Sequence, residues 1–449
     1  MIAKINTTLN GLLKNQSASG IVIFLAVLVA MIWANSSWKE MYEEVIHTEI
    51  SIGIAGFFLS ESFLLWINDG LMAIFFLQVG LELKREIIGG KLSSVRKAIL
   101  PIGAAIGGMM VPAIIYLAFN ANNSAMRGWG IPMATDIAFA IGVLSLFGDR
   151  VPASLKVFLL ALAIVDDLGA VLVIAIFYTS GISYIDLLYG VLFFFILLGG
   201  NLLGIRKAWF YALVGIGGVW LAFFFSGVHP TIAGVLTAFA VPGRVKIKEE
   251  GYLKNLQKLH IAFLETKPIR GNFISEKQLN ILEEIKQKSD DAETPLQKIE
   301  HHLAPVVGFF ILPLFALTNT GIHIHGDLLE TMSHPISLGV VFGLLVGKFI
   351  GIMGASWILV KLKIAELQEG IFWKNLSGVA LIAGIGFTMS LFITELAFES
   401  EEFTFIAKLS ILFTSVLAGI SGAIVLQFSG SKTDKYALSN RKVQQTRSW

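Results

Sequence analysis

The sequence has no cysteine among its 449 residues, which excludes disulfide bonds and thiolate metal sites. Charged residues are also scarce, because they make up 15% of the chain where a soluble domain has about a quarter. The formal net charge of +2 is too small to indicate a nucleic-acid partner. Hydrophobic residues make up 55% of the chain. This composition predicts an all-α polytopic membrane protein, with residues 1–449 forming a single integral domain in contact with lipids.

The most unusual stretch is the apolar run 155–178, which has Asp166 and Asp167 at its centre. A membrane-spanning helix needs about 20 apolar residues, so this run is long enough to cross a bilayer. Each Asp at the bilayer centre costs on the order of 3 kcal/mol. We therefore expect these two side chains to bind or pair with something inside the membrane.

Apolar runs of similar length recur along the chain and predict twelve transmembrane helices. The predicted spans are 19–35, 61–82, 98–119, 128–147, 153–178, 183–201, 207–225, 229–242, 304–321, 336–359, 376–397 and 403–428. The eighth span is short, which is possible for a helix that is surrounded by protein.

Lys and Arg lie almost entirely in every second connection between these spans. The connections that are poor in basic residues are 120–127, 179–182, 226–228 and 322–335. The alternate connections contain Lys84, Arg85, Lys91, Arg96, Lys97, Arg150, Lys156, Arg206, Lys207, Lys361, Lys363 and Lys374. Lys4 and Lys14 precede the first span, and the tail 430–449 is also basic. Basic residues stay on the cytoplasmic side of a membrane, so both termini are predicted to be cytoplasmic.

Two connections are long enough to have structure of their own. The outer segment 45–58 has β-prone residues and glycines that allow a turn, so we expect either a small β-hairpin or a plain loop. The cytoplasmic segment 243–299 contains two amphipathic patterns, the second of which opens with a capping box formed by Ser275 and Gln278. A helical hairpin is predicted there, with a solvated linker as the alternative.

Three further spans have polar or helix-breaking residues near their centres. These residues are Thr135 and Asp136 in span 128–147, Lys348 in span 336–359, and Gly384, Gly386 and Thr388 in span 376–397. Glycine and proline also precede Thr135, in the segment Gly128–Pro132. Irregular backbone is tolerated at this depth only where it faces protein, water or an ion. Four helices thus place their most costly residues at one depth, which indicates a common site.

The two spans that we expect to be interrupted, 128–147 and 376–397, are each the middle member of a triplet of spans. The first triplet, spans three to five, starts inside, whereas the second, spans ten to twelve, starts outside. The triplets therefore have inverted topology. Broken helices at corresponding positions of two halves are a sequence sign of a transporter site.

The ligands available at this depth are three carboxylates, one ammonium group, the hydroxyls of Thr135 and Thr388, and backbone carbonyls. Oxygen ligands suit a hard cation. Adjacent residues on a helix point about 100° apart, so one of Asp166 and Asp167 is expected to pair with Lys348, and the other to face Asp136 and the ion. A site that holds either protons or a cation exchanges them by competition, and more than one proton for each monovalent ion makes the exchange electrogenic.

Other interpretations of the same residues remain open at this point. Asp166, Asp167 and Lys348 can form a purely structural ion cluster, and Asp136 a buried hydrogen-bonded carboxylate. An exchanger for potassium or calcium is possible, although a calcium site usually has more carboxylate oxygens. An intramembrane aspartyl protease would place its two Asp on separate helices. A channel is disfavoured, because one Lys among three Asp traps ions rather than conducting them.

Three motifs closely resemble those of the NhaA-type Na⁺/H⁺ antiporters. They are Ala134–Gly142, Ala163–Gly169 and Gly384–Ser390. The resemblance runs from the first span to the twelfth. It implies two crossing interrupted helices, efflux of sodium or lithium in exchange for protons across a bacterial inner membrane, and no cofactor. It further implies that the outer segment near 45–58 forms a homodimer contact.

The resemblance also implies a role for individual residues. Asp167 would bind the ion and the proton, with Asp136 and Thr135 near the crossing, and Lys348 would pair with Asp166. In this family pH is sensed at the cytoplasmic mouth, where the matching residues here are Glu82, Arg85, Glu86, Glu300 and His301. These residues can also be ordinary ion pairs at helix ends.

Two further positions, Asp69 and Ala304, are singled out by the resemblance. Asp69 matches a buried acidic position of the second span. Members of the family often have a second histidine shortly before Pro305, where this chain has Ala304, so the pH set-point is open. His229, at the start of the eighth span, is expected to be a helix-start residue rather than a ligand.

Overall fold

The computed structural model of the chain describes residues 16–54, 57–121, 123–179, 181–266, 273–324 and 327–429. Lys4 and Lys14, and the predicted cytoplasmic tail 430–449, lie outside the described residues. Within the described part the chain is almost entirely helical, with a single two-stranded antiparallel sheet.

The first half of the chain contains a small sheet and nine helices. The sheet consists of β1 (Glu49–Ile54) and β2 (Phe57–Ser62). The helices are α1 (Gln16–Ala34), α2 (Lys39–His47), α3 (Phe63–Ile88), α4 (Val95–Asn120), α5 (Ile137–Ser145), α6 (Ala153–Phe177), α7 (Tyr184–Leu202), α8 (Ala208–Ser226) and α9 (Thr231–Ala240).

The second half of the described chain contains helices joined by loops, with no strand. Its helices are α10 (Glu249–Glu265), α11 (Glu276–Ala292), α12 (Pro295–Asn319), α13 (Leu328–Ser333), α14 (Pro335–Lys361), α15 (Trp373–Ile382), α16 (Phe387–Ala397) and α17 (Glu401–Ser429). A π-helical turn, Gly343–Gly347, interrupts α14 directly before Lys348.

Nine helices of the described chain are long and apolar enough to cross a membrane, and two bent pairs raise the number to eleven. The eighth predicted span, 229–242, corresponds to α9, which has only 10 residues. The chain is therefore a multi-pass membrane protein. The count of twelve crossings stays a prediction, because it requires both bent pairs and the short α9 to cross.

Both interrupted spans have an irregular centre. The chain of the fourth span forms a 3₁₀ helix, Ser124–Met133, loses helical structure at 134–136, and resumes as α5. Pro132 contributes to this break, because proline lacks the N–H group that an α-helix needs. In the eleventh span α15 and α16 are separated by four residues and bent by 45°. A Cβ atom on Gly384 would lie 2.5 Å from the carbonyl oxygen of Leu344, so only glycine fits at this break.

The β-hairpin is present, but its position differs from the predicted segment 45–58. Residues up to His47 belong to α2, and the second strand continues to Ser62, where the second span was predicted to have begun already. The displacement has a physical cause in the strand register, because Glu49 pairs with Ser62 and the N–H of Phe63, at the start of α3, donates to Thr48 O at 2.9 Å.

The segment 243–299 contains α10 and α11, which pack against each other. Tyr252 Oη on α10 lies 3.0 Å from Ser289 Oγ on α11. The capping box predicted at the start of α11 is confirmed, with Ser275 and Gln278 bonded reciprocally. We call the pair α10–α11 the insertion hairpin.

Very close helix packing joins α4 and α14 in the protein interior. A Cβ atom on Gly107 would lie 2.3 Å from Gly351 O, and a Cβ atom on Gly351 would lie 2.1 Å from Gly107 O. The two backbones therefore touch at these residues, as is common where small residues line a helix interface in membranes.

The contact predicts that Gly351→Ala destabilises the protein by about 1–3 kcal/mol, because the new methyl group collides with a backbone oxygen that cannot move independently. The melting temperature of the purified protein in detergent measures this effect. Gly354→Ala is the matched control on the same helix, since a Cβ atom there meets no atom within 4 Å. Equal melting temperatures for the two variants would contradict the packing argument.

Candidate functional site

The Asp136 carboxylate caps two helices at once. Its Oδ1 accepts a hydrogen bond from the backbone N–H of Phe139 in α5, at 3.1 Å. Its Oδ2 accepts from the backbone N–H and the hydroxyl of Thr388 in α16, at 3.0 and 2.5 Å. The start of a helix has free N–H groups and a partial positive charge. One carboxylate thus accepts hydrogen bonds from the free N–H groups at the starts of both α5 and α16.

The two interrupted spans cross at their breaks and are bonded there through the backbone. The N–H of Asp136 donates to Ile385 O at 2.7 Å. Ser390 Oγ in α16 donates to Ile131 O in the 3₁₀ segment at 2.8 Å. Backbone groups that the breaks set free are therefore paired with each other, as they must be at a depth without water.

Lys348 is fully buried, with an exposed side-chain fraction of 0%. Its Nζ donates to Asp166 Oδ2 at 2.6 Å and to Thr135 Oγ1 at 2.9 Å. The Thr135 hydroxyl lies 2.8 Å from Asp166 Oδ2 and 2.9 Å from the carbonyl oxygen of Ala383, just after α15. The ammonium group therefore neutralises Asp166 and lies close to the partial negative charge at the end of α15.

The adjacent carboxylates Asp166 and Asp167 have different surroundings, although each residue is only 1% exposed. Asp166 has two donors on Oδ2, whereas its Oδ1 is buried without a partner. Within the described chain no donor bonds Asp167, and its Oδ1 is also buried without a partner. Asp166, Asp136 and Glu82 lie near Asp167, and so does the ammonium group of Lys348. Asp167 therefore lacks the hydrogen-bond donors that hold Asp136 and Asp166.

The three aspartates of the site do not gather into one ligand cluster. Thr388 and the start of α5 hold Asp136, and Lys348 holds Asp166. In the ranges that the structure describes, no group of three or more His, Asp or Glu side chains is close enough to hold a metal ion together.

The residues proposed to sense pH lie together at the end of α3 and the start of α12. Arg85 is their centre, with Nη1 2.8 Å from Glu300 Oε1 and Nη2 3.1 and 3.9 Å from Glu86 and Glu82. His301 lines the same cavity as Arg85 and Glu300, and so does Ala304. The nearest aromatic partner of His301 is the ring of His302, at 6.1 Å.

The pairing of Asp69 with His229 is not found by the sequence analysis. Asp69 Oδ1 lies 3.4 Å from His229 Nε2, and His229 Nδ1 lies 2.7 Å from Thr231 Oγ1 at the start of α9. A signal was present, because Asp69 lies in the first half of a span and His229 opens another, and both spans were predicted to start on the same side. His229 is thus both a helix-start residue, as expected, and a partner of the acid in α3.

Comparison with known proteins places these residues in context. The sequence model of a family described as Na⁺/H⁺ antiporter 1 matches residues 10–426. A Na(+)/H(+) antiporter NhaA of Oleidesulfovibrio alaskensis is 46% identical over 415 residues, which are 92% of each chain. A Na(+)/H(+) antiporter NhaA 1 of Clostridium beijerinckii is 46% identical over 423 residues, 94% of this chain and 95% of the relative. The Na(+)/H(+) antiporter NhaA of Helicobacter pylori is 44% identical over 94% of this chain and 95% of the relative.

The buried ion pair predicts a difference between single and double substitutions. Lys348→Met alone leaves the Asp166 charge buried without a partner and is expected to cost about 3–5 kcal/mol of stability. Lys348→Met combined with Asp166→Asn removes both charges and is expected to recover most of this loss. Thermal melting of the purified variants measures both. A double variant that melts no higher than Lys348→Met alone would show that the pair is not electrostatically coupled.

Proposed function

Because this chain belongs to the Na⁺/H⁺ antiporter 1 family, we propose that Na⁺, or Li⁺, and protons compete for Asp167 and are thereby exchanged across the membrane. The chain is a transporter and not an enzyme, and it uses no cofactor. Sodium ions and protons are its substrates. The proposal concerns the residues that bind these ions and the way in which the exchange occurs.

The observation that carries the proposal is the buried Asp167 carboxylate, which has no donor within the described chain. An ionised carboxylate in an apolar interior is costly unless it gains a partner. A proton and a small cation each provide one, and neither leaves room for the other. Asp166 differs, because Lys348 and Thr135 already bond it. Asp136 and Thr135 would add oxygen ligands where the two interrupted spans cross. Gly384, Gly386 and Thr388 would keep the backbone of the second break open toward the ion.

The proposed architecture has twelve crossings with two inverted triplets. In the described chain, the first triplet corresponds to α4, the interrupted segment Ser124–Ser145 and α6. The second corresponds to α14, the pair α15–α16, and α17. Two observations support a two-fold relation. Gly107 and Gly351 contact each other reciprocally, as equivalent positions beside a two-fold axis do, and the two breaks are bonded to each other.

We further propose that the protein lies in the bacterial inner membrane with both termini cytoplasmic. The alternation of Lys and Arg along the chain supports this orientation. Basic residues also cluster at the end of the bundle that carries the insertion hairpin, where Lys84 donates to Phe239 O, and Arg206 to Arg244 O. The insertion hairpin would then be cytoplasmic and the β1–β2 sheet would be on the outer side.

The cluster around Arg85 is proposed to regulate exchange by pH. One guanidinium group faces the carboxylates of Glu82, Glu86 and Glu300. Protonating any one of these three carboxylates changes which of the other two pairs with the Arg85 guanidinium group. Glu82 also acts electrostatically on Asp167, which provides a physical connection from this cluster to the ion site. His301 faces the same cavity.

A homodimer through the β1–β2 sheet is proposed as the assembly. Ile52 and Phe58 on its two strands are 57% and 70% exposed. Exposed apolar side chains on a short sheet with free edges favour pairing with a second copy. The outward apolar side chains of the membrane helices would contact lipids instead.

The first prediction from this mechanism concerns Asp167→Asn. The variant should lose sodium-driven proton movement, because an amide binds neither the proton nor the cation as a carboxylate does. It should still fold, since no described residue bonds the carboxylate. Proton movement in everted membrane vesicles after sodium addition measures the loss. Glu402→Gln, which removes an exposed carboxylate at the start of α17, is the control. Exchange at the control rate by Asp167→Asn would exclude Asp167 as the binding residue.

Competition also predicts how exchange depends on pH. As the pH falls, the sodium concentration for half-maximal exchange should rise by up to about tenfold per pH unit, because a proton then occupies Asp167 more often. Titration of vesicles with sodium at several pH values measures this. The same titration on a supported membrane should produce a current, because we propose more than one proton per sodium. A half-saturating concentration independent of pH would contradict competition, and the absence of current would contradict an electrogenic exchange.

A further inference from the structure

The insertion hairpin carries large apolar side chains that are exposed. On α10, Leu253 is 50% exposed and Leu264 is 69% exposed, and on α11 the values are 47% for Leu279 and 42% for Leu282. Neither helix belongs to the apolar spans, so the hydrocarbon of the membrane does not surround these side chains. A contiguous apolar surface outside the bilayer indicates a binding site, provided that the four leucines lie together.

The faces by which α10 and α11 pack are marked by one hydrogen bond. Tyr252, in the first turn of α10, bonds Ser289, in the last turn of α11, so the two helices run antiparallel. Gln278, at the start of α11, is three turns from Ser289 and lies on the same stripe of the helix, and it is buried. The stripe of Gln278 and Ser289 therefore faces α10, and the stripe of Tyr252 faces α11.

The four leucines lie on one side of the hairpin. Leu253 and Leu279 each directly follow a residue of the packed stripe, so each is turned by about 100° from the packed face. Because the helices are antiparallel, the same turn directs both side chains to the same side of the pair. Leu264 is three turns further along α10, and Leu282 is one turn further along α11. We call the surface formed by these four residues the leucine face.

The leucine face is bordered by acidic side chains. Glu249 and Glu250 lie one turn before the first leucine of α10. Glu276 and Glu283 lie one turn before and one turn after the first leucine of α11. All four glutamates are exposed, and no ion pair among the described residues involves them. Lys286 is the basic residue on this side, whereas the other lysines of the two helices are turned to the opposite side of the hairpin, at Lys254, Lys258, Lys277 and Lys288.

This acidic border discriminates between possible partners of the leucine face. The anionic surface of an inner leaflet would be repelled by the four glutamates. A second copy of the face would bring the same acidic border against itself, which is also unfavourable. A basic segment with apolar side chains is complementary to the face in both respects. The tail 430–449 of this chain is such a segment, because it carries five basic residues and one acidic residue together with Tyr436, Leu438, Val443 and Trp449.

The tail starts at the same end of the helix bundle as the hairpin. The end of α3 lies beside the start of α12, which follows the hairpin. After two further spans the chain returns to this end before α6, where Ser154 donates to Glu369 O at 2.8 Å. Lys374, in the first turn of α15, donates to Phe428 O at the end of α17. Twenty residues reach up to about 70 Å when extended, which exceeds the length of α10, about 25 Å.

We propose that the tail 430–449 docks on the leucine face of the insertion hairpin. Its basic side chains pair with the four glutamates of the border, and its apolar side chains cover the leucines. Because the tail belongs to the same chain, its local concentration is in the millimolar range, so an affinity of about 0.1 mM keeps the face covered about nine-tenths of the time. The docking does not involve the ion site, and Asp167→Asn should leave it unchanged.

The test uses single introduced thiols, which are specific probes because the chain has no cysteine. Gln257→Cys places a thiol on the leucine face, one turn after Leu253, and Lys258→Cys places one on the opposite side at the same height. In everted vesicles a maleimide should label Gln257→Cys about tenfold more slowly than Lys258→Cys, because the docked tail covers the face. Adding Arg441→Glu and Lys442→Glu should remove this protection and leave the labelling of Lys258→Cys unchanged.

Charge rescue and cross-linking identify the occupant. In the chain with the two reversed tail charges, Glu276→Lys with Glu283→Lys should restore the slow labelling of Gln257→Cys, because the charges are again opposite. A short bismaleimide should join Gln257→Cys to Ser439→Cys within one chain, whereas Lys258→Cys with Ser439→Cys should not be joined.

The proposal is overturned if the thiols at 257 and 258 are labelled at equal rates. It is also overturned if reversing the tail charges leaves the thiol at 257 protected, which would assign the face to the membrane surface. Cross-links between two chains would assign it to a second copy and overturn the proposal as well. Exchange that persists in Asp167→Asn would instead contradict the proposed function, so the two failures are distinguishable.

Discussion

The Asp136 carboxylate is the interaction on which the centre of this protein depends. Two helices begin inside the membrane, where no water can satisfy their first N–H groups. Asp136 accepts from the starts of both α5 and α16, and the backbone N–H of the same residue bonds Ile385 in the opposite break. At the other side of the crossing, the Lys348 ammonium provides the opposite charge near the end of α15. The two interrupted spans are stable at this depth because each provides the partners that the other lacks.

This arrangement places the neighbouring residues Asp166 and Asp167 in different surroundings. The helix turn between Asp166 and Asp167 separates their side chains by about 100°, so only one of them reaches Lys348. Asp166 becomes part of the structural network, whereas Asp167 stays buried without a donor in the described chain. The proposed exchange needs this asymmetry, because a carboxylate already held by an ammonium group has less to gain from a proton or a sodium ion.

Much of the site could be predicted from the sequence, because placing a charged or helix-breaking residue in lipid is costly and therefore conspicuous. Asp136, Asp166, Asp167, Lys348 and the glycines of the eleventh span all stand out on this ground. The ends of the helices and strands were harder to predict from the sequence. Residues 45–47 end α2 instead of opening the hairpin, since the strand register pairs Glu49 with Ser62 and the N–H of Phe63 bonds Thr48 O. The pairing of His229 with Asp69 was missed, because it joins two helices that are far apart in the sequence.

The sequence by itself determined the class of protein, the depth of the site and the residue types available there, because hydrophobic length and the cost of burying charge depend on local composition alone. Only the tertiary structure decided which partner each carboxylate has. That choice depends on which helix faces are brought together: Lys348 to Asp166, Thr388 to Asp136, and neither to Asp167. It also decided that the insertion hairpin lies against the Arg85 cluster, since the contact joins segments whose patterns carry no information about each other.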